Sequence, residues 1–160
     1  MKRTTVKTLF RWALALSSLM LVQVASARAT ISDMQSCQGL IDFLQIRVNS
    51  TSNRFQKTDI NTILTGLEVY DRYIQNHIVT PGLLSFNQGD ESKAETMQDK
   101  VDEYKKSLVK GYQQRFPENK LYMDFAVSLN NCAQKAVPQG AELEAFKSSI
   151  LTLVNITKNQ

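Results

Sequence analysis

The chain has 160 residues, 42% hydrophobic and 21% charged, with a formal net charge of +4 at pH 7. Four of its nineteen Lys and Arg (Lys2, Arg3, Lys7 and Arg11) precede residue 12, so beyond Ala27 fifteen basic residues face fifteen acidic ones. The basic excess is a property of the N-terminus and not a nucleic-acid footprint, since no Lys/Arg cluster with interleaved aromatics accompanies it.

The N-terminus reads as a secretory leader. Its positive start is followed by an apolar run over 12–24, broken only by Ser17, Ser18 and Gln23, and then by Ala25-Ser26-Ala27 and Arg28-Ala29. A positive start, a short apolar run and an A-x-A exit are the three parts of a cleaved signal peptide. The run is shorter than the roughly 20 residues a spanning helix needs, so cleavage, after Ala27 or after Ala29, is expected over anchoring. Residues 1–29 are therefore read as leader and 30–160 as a single periplasmic or secreted domain. The Lys2-Arg3 start resembles bacterial leaders.

Cys37 and Cys132 are the two cysteines. An even count in an oxidising compartment favours a bridge over two separately buried thiols. Closing so long a loop contributes about 4–5 kcal/mol in the chain-entropy model.

Periodicity predicts helices through most of the domain. A first helix over about 33–49 has Ser32 as N-cap with Gln35 as its capping-box partner. Met34, Cys37, Ile41, Leu44 and Val48 form its apolar stripe, widened by Leu40. The polar run 49–53 reads as a turn. A second helix over about 59–76, capped by Thr58, buries Ile60, Ile63, Leu64, Leu67, Tyr70 and Ile74. Gly66 within it costs about 1 kcal/mol against alanine and marks either a close helix crossing or a bend.

The stretch 78–89 reads as a loop, with Thr80-Pro81-Gly82 as a turn signal. It carries Ile78, Val79, Leu83, Leu84 and Phe86, an apolar content unusual for a loop. It either folds over the core as a cap or is an apolar binding loop, with Leu83, Leu84 and Phe86 as candidate contacts.

A third helix begins after Asp90-Glu91, with Ser92 and Glu95 as a second capping box. Ala94, Met97, Val101, Tyr104, Leu108 and Tyr112 make its stripe. Its charged residues read as a solvated face on which Asp102 and Lys106 pair, and Pro117 ends it. A fourth helix over about 120–136, capped by Asn119, presents Leu121, Tyr122, Phe125, Leu129, Cys132 and Ala136. After Pro138 and Gly140 a fifth covers about 141–156 with Leu143, Phe146, Ile150, Leu153 and Val154. Cys37 and Cys132 both point inward, so a bridge staples the first helix to the fourth. The expected fold is all-α, a compact bundle of four long helices plus a fifth.

Little points to chemistry. His77 is the only histidine, and a zinc site needs three or four ligands. It reads as an exposed or C-capping residue at the end of the second helix. CxxCH, CxxC, P-loop and GxGxxG patterns are absent, and nothing marks a nucleophile elbow. Tyr70, Tyr73, Tyr104, Tyr112 and Tyr122 read as core or rim residues. The chain is expected to be no enzyme, with no catalytic, metal or cofactor-binding residue.

The segments Ser36-Cys37-Gln38-Gly39-Leu40-Ile41-Asp42-Phe43-Leu44 and Leu129-Asn130-Asn131-Cys132 resemble acid-stress chaperones of the HdeA type, in which a cysteine opens the first long helix and its partner lies in a late one. The mature chain is longer than those chaperones. The span 98–132, broken at Pro117, is similar in outline to periplasmic immunity proteins against type VI secreted amidases. These resemblances imply a periplasmic protein-binding module of the inhibitor or immunity kind, with another envelope or secreted protein as partner. The alternatives are a stress chaperone and a small-ligand or cofactor carrier. Neither nucleic acid nor, after cleavage, a membrane is expected as a partner, and the oligomeric state is open.

Overall fold

The computed structural model describes residues 29–159, so all but the last residue of the expected leader lies outside the described residues. Helix α1 covers Ile31–Ser50, α2 Lys57–Ile74, α3 Thr80–Phe86, α4 Glu91–Arg115, α5 Met123–Lys135 and α6 Gly140–Lys158. A 3-10 turn, Ser52–Arg54, follows α1, and a π-helical turn, Gln75–Val79, joins α2 to α3. The described residues contain no strand, and the all-α expectation holds.

The apolar stripes bury as their spacing requires. Met34, Ile41, Phe43, Leu44 and Val48 of α1 meet Ile63, Leu67, Tyr70 and Ile74 of α2, with Leu129, Phe146 and Leu153 from α5 and α6. Cys37 and Cys132 are bonded, their Cα atoms 5.8 Å apart, and join α1 to α5 across 95 residues of sequence. Phe43 anchors a ring cluster with Tyr112, Phe116 and Phe125.

Helices α2 and α6 cross in close contact at Gly66. A Cβ there would stand 2.5 Å from the Ala145 carbonyl oxygen and 2.3 Å from the Ser149 Cβ. Of the two roles open to this glycine, the helix contact is the one realised. Ser149 seals the crossing by donating its hydroxyl to the Ile63 carbonyl at 3.1 Å.

Several local expectations are corrected. The cap of α1 is Thr30, whose Oγ1 accepts from the Asp33 N–H at 3.1 Å while the Asp33 carboxylate reaches back, so the capping box starts two residues before Ser32. Asp33 wins because its carboxylate also pairs with Lys135 at 2.7 Å. Asp90, not Ser92, caps α4. Thr58 does not cap α2, which starts at Lys57 with no side-chain cap. Asn119 does not cap α5 either. It exchanges hydrogen bonds with Ser50 at the end of α1, and α5 begins only at Met123. In α4 the ion pair of Asp102 is with Lys105 at 3.0 Å, not Lys106, and Tyr104 is exposed rather than part of the buried stripe.

The largest correction concerns 78–89. It is not a loop up to Phe86: the backbone runs on helically from α2 through the π turn into α3. Pro81 has no N–H to donate and its ring crowds the carbonyl one turn back. Widening the preceding turn, in which the Thr80 N–H donates to the Gln75 carbonyl, accommodates it without breaking the helix. The actual turn is Asn87–Gly89, where Gln88 and Gly89 have φ of 56° and 85°.

Arg47 locks the connection from α4 to α5 onto α1. Its buried guanidinium donates to the carbonyls of Phe116 and Glu118 and lies over the Phe43 ring, 5.1 Å from the centroid.

Candidate functional site

The structure separates the three candidate contact residues. Leu83 is buried in the core, Leu84 is half-buried against it, and Phe86 is 72% exposed at the end of α3. The π turn sets this arrangement. An extra residue in the turn shifts the angular phase of everything after it, so the stripe of α2 is rotated in α3 and Phe86 leaves the core face. The backbone around Phe86 is nonetheless tied down. Asn87 donates its side-chain amide to the Leu83 carbonyl at 2.9 Å, and the Gly89 N–H bonds the Leu84 carbonyl at 2.8 Å.

His77 is exposed within the π turn rather than at a helix end, its ring 4.9 Å from that of Tyr73. Tyr70 is fully buried, stacks on Phe146 at 4.0 Å and donates to the Ala136 carbonyl. Burial pushes its phenol far above the ordinary range. Tyr73 donates to the Val137 carbonyl at 2.9 Å. These two tyrosines hold the segment between α5 and α6 to α2, a structural use that their spacing alone suggested. Among the described residues no group of three His, Cys, Asp or Glu is placed to hold a metal ion.

A second feature was missed by sequence reasoning. Where α1, α2 and α4 meet, polar side chains form a directed chain. The Gln38 amide nitrogen donates to Gln75 Oε1 at 3.2 Å. The Gln75 nitrogen donates to Gln98 Oε1 at 2.8 Å and to Thr80 Oγ1 at 2.9 Å. The Gln98 nitrogen donates to Asp102 Oδ1 at 3.0 Å, which also receives Lys105 Nζ. At the other end Asp71 stands beside Gln38, with Asp42 near by on α1. Burial pushes the carboxyl groups of Asp71 and Asp42 above their ordinary range. Gln38 Oε1 and Asp71 Oδ1 are both buried without a hydrogen-bond partner. The signal for this seam lay in the stripes: Asp71 sits between Leu67 and Ile74, Gln38 between Met34 and Ile41, and Gln98 and Lys105 flank Val101. Each is a polar residue at an apolar register position.

Open clefts lie among the described residues as well. One of about 550 Å³ is lined by Arg54, Phe55, Asp59, Asn155 and Asn159. One of about 520 Å³ runs between α1 and α4 past Asp42, Ile46, Asn49, Lys106 and Val109. Among the described residues no helix is long and apolar enough to cross a membrane. No protein-family model, curated protein or solved structure matches this chain.

Proposed function

We propose that the chain is a secreted or periplasmic binding module of the inhibitor or immunity kind, which engages another envelope or secreted protein and performs no chemistry of its own. Phe86 carries this reading. A phenyl ring 72% exposed on a hydrogen-bonded corner contributes little to folding, and large exposed aromatics on rigid elements are the side chains that anchor interfaces. The disulfide and the leader-like N-terminus support an oxidising compartment. Native mass spectrometry of the protein drawn gently from envelope extracts, in parallel with Phe86→Ser, tests it. The expected result is one protein partner at fixed stoichiometry that the variant loses. A bare monomer from the wild-type chain, or a complex that Phe86→Ser leaves intact, overturns it.

A stress chaperone is the second reading. It draws on Asp33 and Asp90, carboxyl groups held below their ordinary range by Lys135 and Lys93, whose contribution to stability is lost in acid. It requires that acid loosen the bundle and expose apolar surface. Binding of an apolar dye that stays flat between neutral and acid pH eliminates it.

A further inference from the structure

We propose that the groove between α1 and α4 is a docking surface for an acidic amphipathic helix of a partner protein.

Its shape comes from two helix faces. The groove is walled on α1 by positions 42, 45, 46 and 49 and on α4 by positions 106, 109, 110 and 113. Each set has the spacing i, i+3, i+4, i+7, which is one face of a helix over two turns. Two such faces side by side leave a furrow about 10 Å long, into which the side-chain ridge of a third helix fits. The floor is apolar: Ile46 is 49% exposed and Val109 is half-buried. The chain does little to cover this half of α4 itself. Of its 25 residues, α4 fully buries only Ala94 and Val101, both in its first half.

Charge selects the occupant. Beyond Ala27 acids and bases balance, yet α4 is divided. From 91 to 103 it carries five acids against Lys93 and Lys100, and from 104 to 117 the chain has Lys105, Lys106, Lys110 and Arg115 with no acid at all. The helix macrodipole favours bases only in the last turn, which accounts for Arg115 and not for the three lysines. Lys105 is engaged by Asp102 at 3.0 Å and offsets the charge of Asp42 in the groove. Lys106 and Lys110 form no ion pair among the described residues. They make the α4 wall basic, while Gln45 and Asn49 keep the α1 wall opposite neutral. A helix with acidic residues flanking an apolar stripe meets both the lysines and the floor. A basic helix meets Lys106 and Lys110 as like charges, and a second copy set groove to groove adds two more lysines to the same small area. The surface is separate from Phe86. The turn after α3 reaches α4 at Met97, through Asn87, more than two turns before Lys106.

The probe is a helical peptide with leucines at i, i+3, i+4 and i+7 and glutamates beside them, titrated into the oxidised wild-type protein and followed by backbone amide NMR. The expected result is saturable shifts centred on Ile46, Lys106, Val109 and Lys110 that weaken as salt is raised. A counterpart with lysine for glutamate is expected not to bind. Lys106→Glu with Lys110→Glu is expected to weaken binding by about tenfold or more. Lys106→Gln with Lys110→Gln, which adds no repulsion, should fall between it and the wild type. Phe86→Ser should leave peptide binding unchanged, which separates this groove from the reading built on Phe86. The proposal is overturned by no shifts, by shifts centred elsewhere, or by equal binding of the two peptides. A dimer of the chain that fills the groove, or binding to phosphatidylglycerol vesicles in place of the peptide, also overturns it.

Discussion

Gly66 and Ser149 stand so close that no side chain fits between their backbones: a Cβ on Gly66 would lie 2.3 Å from the Ser149 Cβ. Alanine is the better helix former by about 1 kcal/mol, yet Gly66→Ala is expected to lower stability by about 1–3 kcal/mol through overpacking. The Ala145 carbonyl, 2.5 Å from the new Cβ, cannot rotate away as a side chain can. Adding Ser149→Gly should therefore recover only part of the loss in urea unfolding.

The Cys37–Cys132 bridge spans 95 residues. Replacing both cysteines by alanine is expected to lower stability by about 4–5 kcal/mol in the chain-entropy model. Intact mass should rise by two protons on reduction of the wild-type protein, and a constant mass would contradict the pairing.

Among the described residues Arg47 pairs with no carboxylate, and it gives its guanidinium to the Phe116 and Glu118 carbonyls. Arg47→Met leaves two carbonyls short of a donor and is expected to cost about 2–4 kcal/mol. Arg47→Lys keeps the charge but cannot make the fork, so it should recover less than half of that loss in thermal unfolding.

Leu83 and Phe86 lie about one helical turn apart, the first buried and the second exposed. Leu83→Ala should cost about 2–4 kcal/mol. Phe86→Ser should stay within about 0.5 kcal/mol of the wild type. Equal losses would place Phe86 in the core.

Lys135 and the Thr30 cap hold the Asp33 carboxyl down, from 3.8 to about 2. A depressed folded-state pKa contributes stability above the unfolded value, and that contribution disappears as pH falls from about 3.8 through about 2. The pair is solvent-exposed, so the effect is small. Lys135→Ala should melt slightly below the wild type at pH 7, with the gap closing as the solution is taken to pH 2.

Helix identity was legible because apolar spacing is set by the helical repeat: Met34, Cys37, Ile41, Leu44 and Val48 could be placed inward without coordinates, and so could Cys132. The caps were less legible, since Thr30, Ser32 and Asp33 compete within four residues and a distant Lys135 decides between them. Pro81 misled for a different reason. Its local cost to a helix is real, but a wider turn absorbs it once Val79 and Leu83 have a core to enter. The glutamine chain was hidden because amides carry no charge and no motif. What betrayed it was Asp71 standing where a leucine would fit.

The disulfide closes the chain into a ring from residue 37 to 132, and α6 lies outside it. Tension applied between the two ends of the domain passes through the sulfur atoms and bypasses everything in the ring. Only the first turns of α1, the segment after Cys132 and α6 bear load. A pulled molecule would therefore shed α6 at its tight seam on α2 and then stop short, with α2, α3 and α4 still folded behind the bond.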